Sequence, residues 1–235
     1  MARLPRLSLP GVAQLVAIRG NDKQPVFRDD DDRAHWLGWL AESARARSVE
    51  IHAYAQLVDS ALLLLTPATA GGVAAIVQSL GRRYVRWFND RHRRSGTLWE
   101  GRYRSAPVEP GAMLVACMVH VESAPVRAGL VDAAPGWPWS SCRHHIGLAH
   151  DPRISDAAPF WALGNTPFDR QTAYLRMFDE PVPASQRRAI EAALQRGRPL
   201  GGASFLEELV ARGLPVAAPR PRGRPRREGR GAAPG

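Results

Sequence analysis

The sequence predicts an α+β fold: a ferredoxin-like antiparallel sheet with flanking helices, followed by a helical C-terminal extension and a disordered basic tail. Three observations carry this expectation. Segments of strand and helix character follow one another in the order β-α-β-β-α-β-α over residues 1–131. Two of those strands meet across a short polar turn at Asp59-Ser60, in "YAQLVDSALLLLTPAT". Beyond residue 213 the chain becomes a Pro-, Gly- and Arg-rich stretch that cannot fold by burying apolar surface.

Taken in order, "VAQLVAIR" (residues 12–19) has strand composition and stops at the turn pair Gly20-Asn21. The acidic run at residues 29–32 opens a helix in which Trp36, Leu37, Leu40 and Ala44 recur at helical spacing. Acidic side chains suit the positive end of a helix dipole, so the run reads as a cap and first turn, not as a metal site. "VEIHAYAQLV" and "ALLLLTP" form the hairpin. The helix "GGVAAIVQSLGRRYVRWFNDRHRR" follows, with Val73, Ile76, Val77, Leu80, Tyr84 and Phe88 on one face and a strongly basic opposite face. "SGTLWEGRYRSAPV" (residues 95–108) alternates as a strand, and "PGAMLVACMVHVES" is a mostly apolar helix with Pro110 near its first turn. After Asp132 come the turn-rich aromatic segment "PGWPWSSCRHHIG" and three helices, in "TPFDRQTAYLRMF", "PASQRRAIEAALQRG" and "GASFLEELVARG". The expected organisation is a DNA-binding domain over residues 1–131, a helical extension packed on it over 132–213, and the tail over 214–235.

Composition narrows the function classes. The chain has 235 residues and a formal net charge of +10, and Lys23 is its only lysine. Arginine excess of this sign favours a polyanionic partner. Residues 211–235 hold seven arginines and one glutamate, and so supply much of the excess. No apolar run is long enough to span a bilayer and no export signal is apparent, so no membrane partner is expected. Two cysteines, Cys117 and Cys142, are too few for a disulfide framework or a zinc site. The expected compartment is a reducing cytoplasm.

Five segments together resemble a known family: "LPGVAQLVAIRGNDKQPVF", "IHAYAQLV…LLLLTPAT", "SLGRRYVRWFNDRHRRSGTLWEGRYRS", "ESAPVRAGLV" and "WPWSSCRHH". Their order and spacing are similar to those of the REP-associated tyrosine transposases, bacterial relatives of the HUH single-strand endonucleases. The stretches at residues 93–103 and 125–131 are the most specific. The resemblance implies the HUH transposase fold, a nucleoid-associated location and recognition of hairpin-forming palindromes. It also implies single-strand cleavage assisted by magnesium or manganese. Two histidines at i and i+2 on a central strand share one face and can hold the ion. A helical tyrosine attacks phosphorus, and a polar residue four positions on completes the site.

Each of these four positions departs from the family pattern here. The metal histidines fall on Ser60 and Leu62, the nucleophile on His120 and its polar partner on Ala124. Leucine cannot ligate a metal and serine alone is a poor ligand. The sequence therefore implies no catalytic residues, no bound metal and no cofactor, and a catalytically defective DNA-binding protein. An active transposase using substituted residues is the alternative, and an interaction module without a DNA role is a third class. His52 and His120 read as satisfied, largely buried histidines.

DNA contacts are assigned to Arg82, Arg83, Arg86, Arg91, Arg93 and Arg94, which cluster beside Tyr84 and Trp87, as basic groups and aromatic faces do in single-strand binders. Arg19, Arg102 and Arg104 flank the same surface by resemblance. Arg127 equally suits a helix cap, reaching the last carbonyls of the preceding helix. In the tail, "PRGRP" places Arg222 and Arg224 on either side of a glycine, as in an AT-hook core that enters a narrow minor groove. The expected partner is hairpin or single-stranded DNA, and the expected state is a monomer.

Overall fold

The computed structural model describes residues 7–180 and 182–214. The tail beyond residue 214, including Arg222 and Arg224, lies outside the described residues. Four strands, β1 (Gln14–Arg19), β2 (Val49–Gln56), β3 (Ser60–Pro67) and β4 (Arg104–Pro107), form one sheet in the order β2-β3-β1-β4. Every neighbouring pair is antiparallel. With α1 (Asp30–Ala46) between β1 and β2 and α2 (Gly72–Arg91) between β3 and β4, this is the ferredoxin-like order expected from the sequence.

The four consecutive leucines of β3 are explained by its central place. Leu63 and Leu65 join Val16 and Ile18 in a core closed by Trp36, Leu37 and Leu40 of α1 and Ile76, Leu80 and Phe88 of α2. Leu62 and Leu64 point to the other face, where they meet Leu15, Ala17 and the apolar helix α3 (Ala112–Glu122). A strand covered on both faces loses the apolar–polar alternation of a half-exposed one.

Helix α1 begins as the acidic run predicts. Asp29 is its N-cap and accepts a hydrogen bond from the Asp32 backbone N–H at 3.0 Å. The expected strand over residues 95–108 is shorter than its alternation suggests. Only Arg104–Pro107 is strand, with a single bridge from Trp99 to Gly20 upstream. Gly96 (φ +85°) and Gly101 (φ +57°) adopt left-handed backbone conformations that turn the chain out of the ladder.

Beyond the short helix α4 (Ala124–Arg127), the C-terminal part is woven into the sheet. Its remaining helices are α5 (Cys142–His145), α6 (Ala158–Trp161), α7 (Pro167–Asp179), α8 (Ala184–Arg196) and α9 (Ala203–Ala211). Phe160, Tyr174, Ile190 and Leu194 share the core of α3. Both sheet edges are occupied as well. Along β2, the Gln56 N–H donates to Trp139 O at 2.9 Å, the Ser141 N–H to Tyr54 O at 3.0 Å and the Ser155 N–H to Ile51 O at 2.9 Å. Along β4, the Leu200 N–H donates to Pro107 O at 2.8 Å. Edge groups paired in this way are withheld from a foreign strand. No helix among the described residues is long and apolar enough to cross a membrane.

Candidate nucleic-acid interface

Helix α2 buries one face and turns its arginines outward, but those arginines do not form one uniform patch. Arg83 is exposed, yet its guanidinium donates to Glu42 at 2.7 Å and stacks 4.5 Å from the Trp39 ring centre. Arg91 is held by the acidic start of α1, at 2.7 Å from Asp29, 2.9 Å from Asp31 and 2.7 Å from Asp32. This hydrogen-bonded ion pair is the main cause that keeps the Asp29 carboxyl below its ordinary range and the Arg91 guanidinium above its own. Arg94 is tied into the turn after α2 by Asn89 at 3.2 Å, Gln24 at 3.1 Å and the Thr97 carbonyl at 3.3 Å. Three of the six cations assigned to DNA from sequence thus organise the protein itself.

Arg82, Arg86 and Arg93 are exposed and pair with no carboxylate among the described residues. Arg82 and Arg86 stand one turn apart on α2, on the same side of the helix. Arg19, Arg102 and Arg104 likewise form no ion pair there, and the Arg19 carbonyl accepts from the Glu100 N–H at 2.8 Å, which fastens residues 99–102 beside the end of β1.

Between α2 and that segment opens a cavity of about 440 Å³. Its walls include Ile18, Trp36, Gln78, Gly81, Trp99, Arg102 and Tyr103. The indole N–H groups of Trp36 and Trp99 are buried without a hydrogen-bond partner among the described residues. An aromatic-walled cavity with a guanidinium at its rim is suited to a planar group such as a base, whereas the two indole nitrogens are inaccessible and lie behind that wall. Gln78 and Arg82 are one helical turn apart and connect the cavity to the free cations of α2. Trp87 is engaged elsewhere. It stacks on His35 at 4.4 Å and lies edge-on to Trp39 at 5.8 Å, bracing α1 against α2.

The four positions aligned with the family chemistry lie on the opposite sheet face or in α3 and α4. The Ser60 hydroxyl donates to Asp59 at 2.8 Å, Leu62 packs against the α3 core and Ala124 is buried in it. His120 is 5% exposed. The Arg127 guanidinium donates to the His120 carbonyl at 2.6 Å and lies 3.4 Å from its Nε2. Arg127 therefore caps the end of α3. Burial, reinforced by the positive charges of Arg127 and Arg187, pushes the His120 imidazole down to about 3. Burial likewise pushes the Arg127 guanidinium down to about 10. His52 is fully satisfied: its Nδ1–H donates to the Ser155 carbonyl at 2.7 Å, and Nε2 accepts from the Thr66 hydroxyl at 2.8 Å. Cys117 and Cys142 are buried free thiols, and burial pushes the Cys117 thiol up to about 12.

One buried cation is missing from the residues assigned by sequence. Arg33 is buried, donates to the Leu57 carbonyl at 3.0 Å and is flanked by the rings of Phe27 at 5.4 Å and Trp137 at 5.1 Å. Arg33 precedes Trp36, Leu37 and Leu40 at helical spacing, so its register on the buried stripe of α1 was the signal that could have marked it.

Neither a family model nor a curated protein matches the sequence. Structural similarity does identify the architecture. A REP-associated tyrosine transposase solved with a REP hairpin superimposes with a TM-score of 0.51 at 15% identity, over 68% of this chain and 93% of that one. This likeness is one of fold. A protein of Deinococcus radiodurans R1 assigned as a transposase aligns over 46% of this chain and 88% of its own, with a TM-score of 0.36 and 20% identity.

Proposed function

We propose that this protein binds hairpin or single-stranded DNA through the groove between α2 and residues 99–104, and that it does so without cutting the strand. The observation that carries the reading is the set of cations without carboxylate partners among the described residues, Arg19, Arg82, Arg86 and Arg102, beside an aromatic-walled cavity. Cations tracking the phosphates and aromatic walls receiving a base are what single-strand binding needs. The transposase of the same fold solved with a hairpin supports DNA as the partner class.

The absence of cleavage follows from the chemistry at the family positions. A divalent ion does not fit them: Leu62 offers no lone pair and the Ser60 hydroxyl is already committed to Asp59. His120 is a buried imidazole whose Nε2 faces a guanidinium, and no residue of the constellation can stabilise charge on a scissile phosphate. Ala124 has no polar group to complete the site.

The test is a labelled hairpin with a single-stranded flank, incubated with the protein and manganese and run on both native and denaturing gels. A retarded band under native conditions, with an intact strand and no protein-linked DNA after denaturation, is the expected outcome. A cut strand or a band that survives denaturation would refute the non-cleaving reading, and absence of retardation would refute the binding surface. Introducing Ser60→His, Leu62→His, His120→Tyr and Ala124→Asn together asks separately whether the supporting shell still accepts the chemistry.

A further inference from the structure

The turn-rich segment "WPWSSCRHH" and the loop after it contain a second polar constellation, unrelated to the DNA groove. At its centre is Glu122, the last residue of α3, which is fully buried. One of its oxygens accepts from the Ser141 hydroxyl and, at 2.7 Å, from the His145 Nδ1–H, while the other accepts from the Tyr174 hydroxyl at 2.8 Å. The carboxylate thereby fixes the ring of His145, and His145 itself is 0% exposed. Its other nitrogen, Nε2, is buried and has no hydrogen-bond partner among the described residues. It points toward Asp156, whose Oδ1 lies 3.7 Å away, too far for a hydrogen bond. The same Oδ1 is 3.2 Å from His144 Nε2.

We propose that His144, His145 and Asp156 form a structural site for a divalent transition-metal ion of the zinc type, oriented from behind by Glu122. Ligand atoms bound at about 2.0–2.1 Å around a tetrahedral ion lie roughly 3.4 Å apart, close to the two spacings about Asp156. A histidine that donates its remote N–H to a carboxylate presents the other nitrogen as a more basic, pre-oriented ligand, and this is the relation of His145 to Glu122. Two imidazoles and one carboxylate suit zinc better than magnesium or calcium. The Asp156 side chain is 22% exposed, so water can reach this carboxylate to complete the coordination of an ion. His144 Nδ1 accepts from the Asp151 backbone N–H at 3.1 Å and its Nε2–H donates to Asp156 at 3.2 Å, so ligation through Nε2 moves the ring proton to Nδ1 at the loss of both bonds, a two-bond cost. Three metal–ligand bonds outweigh it.

The second cluster of similar composition, Asp29, Asp32 and His92, differs in kind. There the Arg91 guanidinium already supplies the positive charge. Among the described residues no hydrogen bond joins His145 Nε2 to a cation. A bound ion would fasten α5 to the loop that covers the edge of β2, where Tyr54 donates to Asp151 at 2.7 Å and His52 to Ser155.

The experiment uses the full chain without a histidine tag, stripped with a chelator and then exposed to zinc or cobalt(II). The expected result is one retained zinc per chain, a raised melting temperature and visible cobalt bands of tetrahedral intensity. Asp156→Asn and His144→Gln should each weaken zinc binding by about 100-fold or more, beyond the 10–100-fold typical of an outer-sphere partner. His150→Gln, altering a neighbouring exposed histidine, should leave binding unchanged. Failure of the parent protein to retain zinc after dialysis overturns the site. So does equal retention by a folded Asp156→Asn protein, which would place any ion elsewhere on the surface.

Discussion

Replacing Arg82, Arg86 and Arg102 together by alanine tests the cations on which the proposed DNA surface rests. None of the three is ion-paired among the described residues, and Arg102 lies at the rim of the aromatic cavity. For single strands each neutralised phosphate contributes about 0.7 to the slope of log affinity against log salt, so three contacts contribute about 2. At roughly 0.1 M salt this corresponds to about a 10²-fold loss of affinity relative to the high-salt limit. Fluorescence anisotropy of a labelled hairpin with a single-stranded flank, titrated across about 50–200 mM salt, measures both quantities. Arg83→Ala is the internal control, because its guanidinium is held by Glu42 at 2.7 Å and its loss should leave the slope near that of the parent. The reasoning fails if the folded triple variant keeps its affinity and slope, or if Arg83→Ala alone lowers the slope as much as the triple does.

Further outcomes concern the acid limb of stability and the tail. The folded protein keeps His120 neutral down to about pH 3, because burial and then the Arg127 and Arg187 charges oppose protonation, whereas an unfolded histidine takes up a proton near 6.5. The unfolded state therefore binds more protons between these values. This contribution to stability is complete above pH 6.5 and falls away as pH drops toward 3. Urea unfolding of His120→Gln at several pH values should show a flatter acid limb, by up to about 1.4 kcal/mol per pH unit; an unchanged limb would remove His120 as its cause. Deleting residues 215–235 removes six arginines and one glutamate. General DNA affinity should fall at moderate salt while the melting temperature of the remaining protein stays the same, and either unaltered affinity or loss of folding would contradict the assignment of this segment as a DNA-binding arm.

Much of the architecture is written locally in the chain. The acidic cap of α1, the Asp59-Ser60 turn and the apolar stripe of α2 each depend on near neighbours, so periodicity and turn chemistry suffice to order the elements. That Leu62 and Ala124 carry no ligating or polar group is equally plain, because the identity of a side chain alone decides whether it can hold a metal or assist a reaction. Sequence alternation overstated the last strand, since it cannot register that Gly96 and Gly101 take left-handed conformations.

The division of the arginines was decided only by the tertiary structure. Arg82 and Arg83 are adjacent in sequence and alike in composition, yet a rotation of about 100° along the helix leaves one free and delivers the other to Glu42, far away in the chain. Arg91 meets the start of α1 for the same reason, through the packing of two helices on one sheet face. The Glu122 constellation draws Ser141, His145 and Tyr174 from three separate stretches, and neither composition nor spacing marks any of them as its partner. Local patterns specify which element a residue occupies, whereas the partner of a charged or polar side chain depends on how distant elements come together, and that is fixed when the two faces of the sheet are buried.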